Sequence, residues 1–497
     1  MLKPTPRRTR PTRTTYVASV VAFLAWLPFL WVPLASDEAG FLMLGRQWAP
    51  GSSLYGDYWV DRPPLLLWLF RLADLGPETL HPDGLIAPGV KLLGALASAA
   101  AVLLAGMLAA RVAPRASHWT AHLAPVLAAA LLASPLLGMP ETDGEVLAVP
   151  FVLLGVLALV TSLTGEADRR SLLLATGAGA AAACAALVKQ NMVDVFVLAV
   201  VLVPLSRGRV PHLRRRTAAF AGGAAAVVAV VVASSAALGT SPAELWDAVV
   251  TFRLQASAVI GSSASPATSE RFVLVLKAFL ASGAALTLLV TGFLAARTAW
   301  RRGPRSAPLR VAALAMVAWE LVGVAAGGSY WLHYLTGLIP GVVLLASLVR
   351  PTGWRRWALA TCLGLTVLGT LGAWSHELAV PVDDAIGRDA RVAAYLRTHG
   401  GPDDGVVVAF GRPDIVAAAG LDSPYQYLWS LPARVRDPRL RDLQAVLSGA
   451  DAPRWVVVSG ASISGWGITA PAELQTWFEH HYTEQASFGD LHVWSRR

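Results

Sequence analysis

The sequence predicts an α-helical polytopic membrane protein of about eleven transmembrane helices, followed by a C-terminal extracytoplasmic α/β domain. Three observations predict it. The 497 residues are 55% apolar and only 15% charged, with a mean hydropathy of +0.53. That is a membrane composition rather than that of a soluble enzyme. Apolar runs of about 20 residues, long enough to cross a bilayer, recur through residues 16–374. Beyond residue 375, Asp, Arg, Pro and His become commoner and the apolar residues shorten to strand-length runs.

The chain divides accordingly. Residues 1–15 are a basic, Pro-rich tail, and Tyr16–Ala35 is read as a retained first span. The alternative is a signal peptide cleaved near Ala35. Further spans are expected at 88–110, 119–137, 145–163, 172–189, 192–206, 217–238, 272–296, 309–327, 332–349 and 356–374. With the N-terminus in the cytoplasm, the inner segments hold 22 of the 41 Lys and Arg residues. The outer loops of the membrane part hold Arg46, Arg62, Arg71, Lys189, Arg253 and Arg271. This is the positive-inside pattern of a multi-pass plasma-membrane protein. It also accounts for the net charge of +9 without a nucleic-acid partner. Cys184 and Cys362 lie singly in apolar runs, with no metal-type spacing and no disulfide framework.

Residues 375–497 read as a small α/β domain. Strands are expected at Val406–Phe410 and Trp455–Ser459, and helices at 383–399 and 472–481. Gly411-Arg412-Pro413-Asp414 is either a ligand loop or a plain strand-to-helix turn.

The chemistry concentrates in the first outer loop, 36–87. It gathers Asp37, Glu38, Asp57 and Asp61 with Arg46, Arg62 and Arg71, and with Trp48, Tyr55, Tyr58, Trp59 and Trp68. Carboxylates, cations and aromatics beside a bilayer suit an anionic lipid head group carrying a sugar; the plain alternative is a solvated loop with interfacial aromatics. From Pro63-Pro64 the loop turns apolar, as short interfacial helices would. Other outer elements are Pro140–Glu145, 239–271 and Gly327–Tyr334.

Four segments carry a resemblance: Asp37-Glu38 after the first span; Leu54-Tyr55-Gly56-Asp57 running into Asp61-Arg62-Pro63-Pro64; Leu187-Val188-Lys189-Gln190; and His333-Tyr334-Leu335 with Ile339-Pro340. In that order they resemble the GT-C superfamily of integral-membrane glycosyltransferases, closest to the bacterial branch of protein mannosyltransferases and aminoarabinose transferases. The third segment has Gln190-Asn191 where relatives continue Gly-Pro, and His333 stands where Arg is frequent. The resemblance implies a polyprenyl-phosphate sugar as donor substrate, one inverting displacement, no cofactor and no metal. It leaves the acceptor as an extracytoplasmic glycan, lipid or protein, with mannose the default sugar.

On this basis Asp37 is the expected general base, or else only a helix cap, and Glu38 beside it is the second catalytic carboxylate, positioning the acceptor or a cation. Arg62, Lys189 and His333 are candidate donor-phosphate ligands, since a guanidinium grips phosphate bidentately. Asp61 either holds Arg62 or, with Tyr55, Asp57, Glu141, Asp143 and Tyr334, contacts sugar or acceptor. Lys189 sits between apolar runs, where a free cation is costly, unless it snorkels to the interface. Glu141, Asp143 and Glu145 can accept sugar hydroxyls or offer oxygen ligands to a divalent ion. Glu320, inside an apolar span, is a candidate by position, with Lys189 or Lys277 as possible partner. The alternative function is a transporter or lipid flippase, but the paired halves such proteins show are missing from the sequence.

Overall fold

The computed structural model describes residues 11–48, 50–74, 78–81, 83–113, 119–166, 168–262, 266–301, 307–350, 352–380 and 384–497. The basic tail at 1–10 and the basic segments at 114–118 and 302–306 lie outside them. The chain forms two compact units. A helical unit takes Met1–Pro28, Leu92–Val231 and Pro266–Ala379; a mixed unit takes Phe29–Lys91, Val232–Ser265 and Val380–Arg497.

Among the described residues of the whole chain, six helices are long and apolar enough to cross a membrane: Pro88–Val112, Gly144–Thr164, Arg169–Val188, Leu213–Leu238, Pro308–Ala326 and the helix beginning at Trp354. A seventh counts if Thr268–Ala281 and Ala284–Arg297, bent by 64°, are one span. The chain is a multi-pass membrane protein. The expected number of about eleven is not reached by these criteria. Four of the expected spans fall on Arg13–Phe29, Trp119–Leu132, Asp194–Leu205 and Leu332–Leu348, apolar helices of 10–17 residues. Those lengths are at or below the lower limit for a crossing helix.

Local chemistry explains the breaks. Gly283 interrupts the bent pair with φ +71°, and a Cβ there would lie 2.8 Å from the backbone nitrogen of Thr366. Only glycine fits such a turn against a neighbouring backbone. The helix Gly144–Thr164 starts at Asp143, whose Oδ1 accepts from the N–H groups of Glu145 and Val146 at 2.9 and 3.1 Å. Within the helical unit Arg169–Val188 buries Ala175, Ala178, Ala181, Ala182 and Ala185, small residues that let helices approach closely.

The mixed unit is built differently. The described residues of its segment 36–87 are largely regular rather than an open loop. Ser36–Gln47 and Pro64–Ala73 are helices, and β1 (Thr79–His81) pairs with β2 (Gly84–Ile86). Asp37 and Glu38 fall in the first turn of Ser36–Gln47, where acidic side chains complement the helix dipole. The short helix anticipated after Pro63 is present.

Further along, β3 (Val406–Ala409), β4 (Trp455–Ser459), β5 (Tyr482–Phe488) and β6 (Leu491–Arg496) form one mixed sheet in the order β3-β4-β6-β5. β3 and β4 run parallel, with Val406 opposite Trp455, while β4 and β6 are antiparallel. The expected helices appear as Asp384–His399 and Ala472–His481. Gly411, at φ +82°, turns the chain after β3 into helix Pro413–Ala419. The core joins Val407, Phe410, Tyr425, Leu443, Val456 and Phe478, and Trp59 from the first segment packs on it. Residues around Trp59 are thereby tied to the α/β sheet; the Trp59 N–H also donates to the Gln426 carbonyl at 2.9 Å.

Candidate active site

In the mixed unit, Asp37 is half-buried. Its Oδ1 accepts a hydrogen bond from Trp429 Nε1 at 2.8 Å. The indole reaches it because residue 40 has no side chain: a Cβ on Gly40 would lie 2.3 Å from the Trp429 ring. One residue on, Phe41 stacks on Trp429 with centroids 5.7 Å apart, and the Arg62 guanidinium lies 5.5 Å from the Phe41 centroid. Ser36 completes the anchor by donating to Asp414 Oδ1 at 2.7 Å.

Arg62 is held rather than free. Its Nη1 pairs with Asp61 Oδ1 at 2.9 Å, and Arg253 takes the other oxygen of the buried Asp61. Tyr55 is buried and donates its hydroxyl to the Arg62 carbonyl at 3.0 Å; burial pushes the phenol up. It positions the Arg62 backbone, while Asp57 lies exposed on the turn. Glu38 faces away from Asp37 into a buried pair. Its Oε2 accepts from Lys91 Nζ at 2.6 Å and from the Ala35 N–H at 3.0 Å. Of the Asp61 alternatives, the geometry favours the holding of Arg62.

A second acidic pair lies below the start of the Asp37 helix. Asp414 is pushed up to about 7 by burial and by the neighbouring Asp389. Asp389 is bound in turn by Arg412 at 2.9 Å and Arg388 at 3.0 Å. The Gly411–Asp414 turn therefore serves the seat of Ser36 and Asp37, an assignment open between turn and ligand loop in the sequence.

The helical unit carries its own cluster. Lys189 Nζ pairs with Glu145 Oε2 at 2.7 Å and lies 5.4 Å from the Tyr334 ring centroid. Gly144 leaves room for this, since a Cβ there would meet Lys189 Cδ at 2.8 Å. His333 Nδ1 approaches Asp143 Oδ2 at 3.6 Å. Glu141, exposed, borders a small recess shared with Trp26, Met139, Asp143 and Thr336. Five predicted residues thus meet here: Glu141, Asp143, Lys189, His333 and Tyr334.

Ligand atoms of Asp143, Glu145 and His333 lie within 4.8 Å of one another, so these three can in principle hold a metal ion. Lys189 already supplies a positive charge to Glu145 at hydrogen-bond distance. A divalent ion would have to displace it. Glu320 forms a salt bridge with neither Lys189 nor Lys277; the carboxyl that neighbours it is that of Asp194.

Two participants escaped the sequence. Trp429 is 392 positions from Asp37, in irregular chain with no local signal. Asp194 was hidden because it was read as part of a continuous span from 192 to 206.

No protein-family model and no curated sequence matches the chain. Solved structures do. ArnT from Cupriavidus metallidurans bound to undecaprenyl phosphate matches with TM-score 0.59 and 14% identity over 97% of each chain. The arabinofuranosyltransferase AftD from Mycobacteria gives 0.52 and 16%, covering 99% of this chain and 40% of that one. The Archaeoglobus fulgidus oligosaccharyltransferase in its apo form gives 0.57 and 13%, over 95% and 72%. At such identities the likeness is one of fold: the chain has the GT-C fold.

Proposed function

We propose that the protein transfers a sugar from a polyprenyl-phosphate donor to the hydroxyl of an extracytoplasmic acceptor, with inversion in a single displacement. The observation that carries this is the half-buried Asp37 carboxylate, held at a helix start by Trp429, in the same unit as an Arg62 guanidinium braced by Asp61. The shared fold supports the class, since one of the solved neighbours is bound to undecaprenyl phosphate.

In this reading Asp37 takes the proton of the acceptor hydroxyl as its oxygen attacks the anomeric carbon. The bond from that carbon to the phosphate oxygen breaks, and polyprenyl phosphate leaves with its electron pair. Arg62 stabilises the charge gathered on the phosphate. No covalent sugar–enzyme intermediate is required. Glu38, locked to Lys91, secures the helix that presents Asp37. In the helical unit, Lys189 and His333 have the chemistry of phosphate contacts, and Glu141, Asp143 and Tyr334 that of sugar contacts. The protein lies in the plasma membrane with its N-terminus in the cytoplasm.

The test uses purified protein in lipid nanodiscs with a panel of polyprenyl-phosphate sugars and simple glycan acceptors. Release of polyprenyl phosphate from one donor, with an inverted anomer in the product, supports the proposal. A retained anomer would remove the single displacement. Donors that neither bind nor turn over would remove the class.

A further inference from the structure

Next to the Lys189 cluster, the helical unit buries two carboxyls together. Asp194 opens the helix Asp194–Leu205, and Glu320 lies inside the helix Ala307–Ala326. They are 0% and 2% exposed. Among the described residues no salt bridge reaches either carboxyl, and Asp194 Oδ1, Asp194 Oδ2 and Glu320 Oε1 meet no donor. Each carboxyl has the other as its immediate neighbour and acts on it directly.

Two carboxylates have only acceptor atoms and cannot hydrogen-bond each other. One proton changes that, turning one acid into a donor to its neighbour. The alternative is two uncompensated charges in an apolar helix bundle, which is the costliest arrangement a protein interior offers. The shape of the site agrees. A Cβ at Gly337 would fall 2.2 Å from Glu320 Oε2 and 3.5 Å from Met192 Sδ, so glycine leaves just enough space for the carboxyl.

The charges facing the pair from neighbouring elements are engaged elsewhere. Lys189 and Glu145, which act on Glu320 through space, are bonded to each other. His333 faces Asp143, Tyr334 lies under Lys189, and Arg310 donates to the Leu348 carbonyl.

We infer that Asp194 and Glu320 form a proton-binding site in the helical unit, one proton held between the two carboxyls. Its consequence lies at Lys189. A doubly ionised pair would compete with Glu145 for that ammonium; the shared proton leaves Lys189 to Glu145.

Infrared spectroscopy of the full-length protein in nanodiscs tests this, because a protonated carboxyl absorbs apart from carboxylates. At neutral pH the protein carrying Asp414→Asn, the background used throughout because Asp414 is itself raised to about 7, is expected to show a deuterium-sensitive carboxylic-acid band that shifts when Asp or Glu is carbon-13 labelled. The band should disappear in Asp194→Asn/Glu320→Gln, whose amide N–H replaces the shared proton. Absence of the band from the Asp414→Asn background would overturn the inference, and labelling there decides even if the variant of the pair fails to fold. A band indifferent to both substitutions would also overturn it. So would a band seen only after sodium is removed, which would assign the site to a metal cation.

Discussion

Trp429→Phe removes one N–H and little else. The phenyl ring can still lie over Gly40 and against Phe41, whose centroid is 5.7 Å from that of the indole. What disappears is the 2.8 Å hydrogen bond to Asp37 Oδ1. A hydrogen bond to a charged group contributes about 1.5–3 kcal/mol. If that bond aims the base, its loss lowers turnover by roughly ten- to a hundred-fold, at about 1.4 kcal/mol per decade. The donor is gripped through other residues, so the loss should fall on kcat, with donor KM within a factor of about 3. Steady-state release of polyprenyl phosphate measures both constants. Gly40→Ala, which drives a Cβ into the same ring, should reproduce the loss by a different route. Normal kcat in Trp429→Phe would refute the reasoning, because Asp37 would then need no orientation from the indole.

Four further outcomes are expected. Arg62→Ala should raise the apparent donor KM by about tenfold or more while the thermal midpoint changes little, as loss of a charge-assisted phosphate contact implies; unchanged donor kinetics would remove Arg62 from the site. Lys91→Met should cost about 3–5 kcal/mol, since it strands the buried Glu38 carboxylate, whereas Lys91→Met with Glu38→Leu should recover much of that stability in chemical unfolding. Asp414, raised to about 7 in the folded state against an ordinary 3.8, binds its proton more tightly when folded. Its stabilising contribution is therefore full below the ordinary value and lost as pH rises through about 7, so wild type should lose thermal stability over that window relative to Asp414→Asn. Chelators should leave wild-type turnover unchanged because Lys189 occupies Glu145, while Lys189→Met should acquire a response to divalent ions; chelator-sensitive wild type would reverse that assignment.

Much of the architecture was legible because membrane helices and buried strands write their periodicity locally. The long apolar helices and strands β3 and β4 fall where the apolar runs do. The number of spans was not legible, because Gly283 bends an apolar run that hydropathy alone reads as continuous and four of the expected spans fall on helices of 10–17 residues. The helix Ser36–Gln47 entered only through the alternative that Asp37 caps a helix, for the opposite reason. Its acidic first turn and two glycines look loop-like until Trp429 and the Lys91 ammonium are supplied from elsewhere. Candidate residues could be chosen by chemical type, but partnership is a property of distant contacts. Glu38 with Lys91, Glu320 with Asp194 and Asp37 with Trp429 each join residues more than 50 positions apart.

The central claim is that Asp37 acts in the chemical step. Single-turnover release of polyprenyl phosphate by Asp37→Asn, measured beside equilibrium binding of the same donor, tests it most directly. The account predicts donor affinity close to wild type and a release rate lower by at least about a hundred-fold, in the range lost with a general base. Release at the wild-type rate with donor bound would contradict it and move the base elsewhere.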